Sequence, residues 1–85
     1  MGNASLKKPA KLAAKLLLIR EKLELSQSDL IHKLGLEGEV TQSQISAFER
    51  GTRMPTVLIL LAYARLAGIS TDVLIDDNHQ FNKLG

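Results

Sequence analysis

Apolar side chains recur along this chain at helical spacing, and nowhere do they alternate at period two. Leu12, Leu16, Ile19 and Leu23 form one stripe, which predicts a first helix from about Pro9 to Leu23. Proline suits its first turn. Lys11, Lys15 and Lys22 are read as the solvated side of that helix. Glu24 and Leu25 make a corner. Ser26, with Asp29 three residues on, then predicts an N-capped second helix over Gln27 to Leu34, buried through Leu30, Ile31 and Leu34. Gly35 is its stop. Leu36 to Val40 is a turn carrying a second glycine. Thr41, with Gln44 at the capping-box position, opens a third helix that ends at Gly51. Thr52 to Met54 is a loop, and Pro55 leads into a fourth helix from about Thr56 to Ala67, stopped by Gly68. Ser70 is expected to cap a fifth, short helix whose apolar part is Val73, Leu74 and Ile75. The pattern is all-α, with five helices and no sheet.

Two of these helices carry more than a boundary. The fourth is apolar almost all round, broken by Tyr63 and Arg65 alone. Burial on most sides is therefore expected. So short a chain can hardly surround it, and some of its surface is expected to meet a second copy. In the third helix, a turn of about 100° per residue brings Ile45 and Phe48 to one side. Ser43, Ser46, Ala47 and Arg50 fall opposite, with Gln42 on the near shoulder. That outward face is small and polar and ends in a cation. Small side chains permit close approach, and Gln and Ser hydrogen-bond in both directions. Such a face suits base edges in a major groove wide enough to admit an α-helix.

Composition narrows the picture. The 85 residues fit one domain, and 45% of them are hydrophobic, enough for a core without staples. Cysteine is absent, which excludes disulfides and Cys-based zinc sites and is consistent with a reducing cytoplasm, where the protein is expected. The net charge of +2 is too modest to argue for nucleic acid by itself. The basic excess lies in residues 1–33, and the last part of the chain is acidic. Residues 1–8 read as a flexible basic arm, with Lys7 and Lys8 solvated rather than laid along phosphates. Residues 78–85 read as a polar tail in which Phe81 is the one anchor. No apolar run approaches the ~18 residues of a spanning helix, and no signal-peptide layout is present, so no membrane association is expected.

In sequence order, the L-S-Q-x-x-L-x-x-x-L-G stretch, the capped helix T-Q-S-Q-I-S-A-F-E-R-G, a proline and a leucine-rich helix resemble the phage-repressor/Cro type of helix-turn-helix domain. The similarity runs from about residue 10 to 77, and the domain is expected to span 9–77. The resemblance implies a compact, five-helix, lambda-repressor-like fold whose third helix enters the major groove of double-stranded DNA. It implies a transcriptional regulator working as a homodimer. Carried across position by position, Gln42, Ser43, Ser46 and Ala47 match base-facing positions. Gln27, Arg50, Thr52 and Arg53 match positions that hold phosphates. Gln42 is chemically apt, because its amide can pair with adenine N6 and N7. Gln44 is read as a cap rather than a contact.

The family often joins an arginine on helix one to the glutamate before the stop glycine, so Arg20 and Glu49 are expected to form a partly buried, architectural ion pair. The sequence departs from the family between Gly35 and Thr41, where the link is longer and brings Glu37 and Glu39. That turn is expected to project away from the duplex, and it leaves room for a protein partner, as do helices four and five.

No cofactor, metal or enzymatic activity is expected. His32 and His79 lie far apart, Asp76, Asp77 and His79 read as a polar tail rather than a metal cluster, and no glycine-rich phosphate loop or nucleophile–base pairing is present. The competing expectation is an antitoxin-like or adaptor module that keeps the fold and uses its apolar helices on a partner.

Overall fold

Helix starts in this chain are set mainly by side chains that take N–H groups the backbone leaves unpaired, and helix ends by residues that turn the chain back on itself. The computed structural model describes residues 10–78. In chain order the helices are α1 (Leu12–Lys22), α2 (Gln27–Leu34), α3 (Gln42–Arg50), α4 (Val57–Ala67) and α5 (Thr71–Ile75). No strand occurs among the described residues. Ser26, Thr41 and Thr56 each take an orphan N–H at a helix start, from Asp29, Gln44 and Ile59 respectively. At α3 the box is complete, because the Gln44 side chain accepts from the Thr41 N–H at 2.9 Å. Ser70 stands at the N-cap position of α5 without a side-chain bond, so that helix is not capped as the sequence suggests.

Four of the five helices end the same way. A residue in the left-handed region turns the chain, and the next N–H reaches back to close the last turn. Gly35, Gly51 and Gly68 do this for α2, α3 and α4. For α1 the residue is Glu24, at φ 57°, with Leu25 N–H donating to the Arg20 carbonyl at 3.1 Å. A side chain in that conformation crowds the following carbonyl, which is why glycine is usual there. The stop lies early enough to leave Leu23 out of the core, contrary to its place in the apolar stripe.

The core gathers Leu12, Leu16 and Ile19 of α1, Leu30 and Ile31 of α2, Ile45 and Phe48 of α3, Leu60, Tyr63 and Ala64 of α4 and Leu74 of α5, with Val40 closing it from the turn. The first helix is central, touching α3, α4 and α5. Two sequence expectations are corrected here. Tyr63, counted as a break in an apolar helix, is fully buried, and its hydroxyl has no hydrogen-bond partner among the described residues. Burial, and then the nearby Glu49 charge, raises its pKa. Val57 and Leu58, at 75% and 76% exposure, are the part of α4 that so short a chain leaves uncovered.

Lys15 is the second correction. Only 5% exposed, it donates its ammonium to the carbonyls of Val73 at 2.6 Å and Asp76 at 2.9 Å. These carbonyls sit at the C-terminal end of α5, where a helix presents its negative pole. The same junction is tied a second time. Asp77 accepts the N–H groups of Ala10 and Lys11, at 2.9 and 3.1 Å, where α1 begins. Those two bonds, more than the nearby lysines, hold the Asp77 carboxyl below its ordinary value. Asp77 is thus a structural acceptor and not loose tail. The helix itself starts at Leu12 rather than near Pro9. The basic arm 1–8, Pro9, His79 and Phe81 lie outside the described residues.

Candidate nucleic-acid interface

The α2–turn–α3 unit is held from beneath by apolar contacts and from the side by one polar cluster. Ile45 and Phe48 point inward from α3 and are buried, and Leu30 and Ile31 do the same for α2. The link between them is a hydrogen-bonded bend. Leu36 N–H reaches the Ile31 carbonyl, and Glu39 and Val40 N–H groups both reach the Leu36 carbonyl. Gly38, at φ 82°, allows the reversal. Leu36 packs against the core and Val40 is buried, so the extra length of this link is anchored at both ends. Glu37 and Glu39 are exposed, and Glu37 pairs with His32 on α2.

The polar cluster centres on Glu49. Its side chain is 6% exposed and receives the Arg20 guanidinium as a fork, Nε to Oε2 at 2.7 Å and Nη2 to Oε1 at 3.1 Å. The remaining guanidinium arm, Nη1, donates to the Leu25 carbonyl at 3.0 Å. The Glu49 hydrogen bond raises the already high pKa of Arg20, so the guanidinium stays charged where it meets Glu49. Gln27 adds its amide to Glu49 Oε1 at 3.3 Å. One carboxylate thereby ties α1, the start of α2 and the end of α3 together.

Above this support lies the outward face of α3. Gln42, Ser43 and Arg50 are exposed, and Ser46 and Ala47 are half-buried. Thr52 and Arg53 continue the exposed edge past Gly51. The Thr52 hydroxyl and N–H both turn back to the Ala47 carbonyl, which fixes that residue against the end of α3. Arg50 lies along its own helix, with Nε 3.3 Å from the Ser46 carbonyl. Among the described residues Arg53 has no hydrogen-bond or ion-pair partner, and its cation is free for an outside anion. Gln42 and Gln27, the residues at which α3 and α2 begin, both stand on this side, but each is engaged within the protein.

A helix-turn-helix family model matches residues 16–74, from the middle of α1 to the end of the core of α5. The chain belongs to the phage-repressor/Cro-type helix-turn-helix family. Its all-α, five-helix architecture is the lambda-repressor-like fold of that family. This is a family of DNA-binding regulators. Searches of curated proteins and of solved structures return no match.

Within this helix-turn-helix domain, the eight residues singled out from the sequence for base or phosphate contact come from α2, α3 and the loop after α3. Gln27 differs from the others in being drawn toward the Glu49 cluster. Sequence reasoning missed Ser28. Gln42 Nε2 donates to the Ser28 hydroxyl at 3.0 Å, bridging the first turns of α3 and α2. The two residues are separated by the whole turn in sequence, and periodicity within either helix carries no sign of their meeting.

Proposed function

We propose that this protein is a sequence-specific regulator of transcription that places α3 in the major groove of double-stranded DNA. Gln42, Ser43, Ser46 and Ala47 are assigned to base edges, and Gln27, Arg50, Thr52 and Arg53 to phosphates. The observation that carries this reading is the outward face of α3. It is small, polar and open to solvent at its N-terminal end, while every large apolar side chain of that helix is buried. A groove-reading helix needs that combination: slim enough to approach, and supplied with donors and acceptors. The free Arg53 at the far end provides a phosphate anchor. Glu37 and Glu39 are carried by the bend between the helices, away from the Arg53 end of the unit in sequence. The helix-turn-helix domain, assigned to residues 9–77, does this work in the cytoplasm.

The protein is read as a homodimer on a two-fold site, with half-sites about 34 Å apart. Val57 and Leu58, exposed on the outer side of α4, supply an apolar face for the second copy. The same exposure is what favours the adaptor reading, in which a different protein covers α4. Sedimentation separates the two: the homodimer reading expects self-association of the purified chain, and monomer at high concentration ends it.

Anisotropy titrations of duplex DNA across a salt series test the phosphate assignment. Each phosphate contact adds about 0.9 to the slope of log affinity against log salt. Arg53→Ala is expected to weaken binding to all sequences alike and to shallow that slope by about 1. An unchanged slope rejects the role given to Arg53.

A further inference from the structure

The bond between Gln42 and Ser28 has no structural duty that the fold requires. Both side chains are exposed, both helices already have their caps, and the α2–α3 angle is fixed below by the core and by Glu49. What the bond does fix is the Gln42 amide. One amide hydrogen is spent on the Ser28 oxygen at 3.0 Å. Among the described residues the carbonyl oxygen and the second amide hydrogen have no other partner, which leaves one acceptor and one donor on the same planar group. Adenine presents the complementary pair in the major groove, a donor at N6 and an acceptor at N7. An unrestrained glutamine has several rotamers and two amide orientations, and only a fraction of these face a base correctly. Gln27, the amide side chain that opens α2, turns its Nε2 to Glu49, and the Gln42 amide meets Ser28 instead.

We propose that Ser28 is a specificity-determining positioning residue: it touches no base, and by holding the Gln42 amide it sets which base α3 accepts at that position. The inference rests on α3 being the groove helix. Ser28→Ala is expected to lower the preference for adenine at the Gln42 position by about 2- to 10-fold, the range of one neutral hydrogen bond. Preferences at all other positions of the site stay as they are, and so does the melting temperature of the free protein. Ser28→Thr, which keeps the hydroxyl, restores the preference. In a Gln42→Ala background, Ser28→Ala has no further effect on base choice.

The experiment selects sites from a random duplex library with the wild-type chain and these variants, and then measures affinities for single-base variants of the selected site. A wild-type chain that selects no site removes the groove reading itself. A wild-type chain that selects a site, with Ser28→Ala leaving every base preference unchanged, overturns the role of Ser28 and spares the groove reading. Uniform weakening on all duplexes by Ser28→Ala makes Ser28 a phosphate contact and overturns the proposal as well.

Discussion

Replacing Glu49 by alanine strikes the point where three helices share one carboxylate. Glu49 receives Arg20 at 2.7 and 3.1 Å and Gln27 at 3.3 Å. Without it, the Arg20 guanidinium keeps the Leu25 carbonyl as its partner among the described residues. The Arg20 side chain is 20% exposed, so water can only partly replace what is lost. Removing one member of a buried pair costs about 3–5 kcal/mol. The partial access of Arg20 to water puts the expected cost at the low end, about 3 kcal/mol. A chain of this length holds about 4–13 kcal/mol of total stability. With a urea slope of about 1 kcal/mol per M for a small domain, the midpoint should fall by about 3 M. Far-UV circular dichroism through a urea titration reads this directly. The combined change Arg20→Met with Glu49→Leu removes both charges and should recover most of the loss, because no lone charge is left buried. A Glu49→Ala cost below about 1 kcal/mol would put the pair among ordinary exposed ones and refute the reasoning. A double variant as unstable as the two single changes summed would refute it too.

Three further outcomes follow from the core and the α1–α5 junction. Tyr63→Phe should raise stability by about 1 kcal/mol, since it deletes a buried hydroxyl that has no partner among the described residues; a loss in the same urea assay would mean the hydroxyl is satisfied. Lys15→Ala should cost roughly 2–4 kcal/mol through two charge-assisted bonds and a buried stem, and hydrogen exchange should show the amides of α5 opening first. Asp77 has a folded pKa below its unfolded value, so its contribution is complete above the ordinary carboxylate range and fades as pH falls through the lowered folded value. Asp77→Asn should therefore lower the melting temperature at pH 7 and leave it unchanged at pH 2, and an equal loss at both would assign the effect to something other than the charge.

The parts of this fold that sequence conveys are those governed by neighbours in the chain. Ser26, the Thr41–Gln44 box and the stops at Gly35, Gly51 and Gly68 are local devices, and each sits where its residue type suggests. Lys15 shows where local reading ends. On a helical wheel it falls within about 60° of Leu12 and 40° of Ile19, so its angle marks it as inward. Its charge argues for water, and the carbonyls that outweigh that argument belong to Val73 and Asp76, at the other end of the chain. Asp77 is invisible for the same reason, because the N–H groups it caps precede it by more than sixty residues. Tyr63 was misjudged by its hydroxyl, when its ring is what fills the core. At the candidate interface, the residue types and the exposed face of α3 were readable. The engagement of Gln27 by Glu49 and of Gln42 by Ser28 was not, since both depend on how α2 and α3 cross.

Site selection from a random duplex library, run in parallel with wild type and Gln42→Ala, tests the central assignment of α3 most directly. The account predicts one enriched motif with two-fold related halves, and a relaxed base preference at one or two positions of each half when Gln42 is lost. No enrichment at low salt, or an identical motif selected by both proteins, would contradict it.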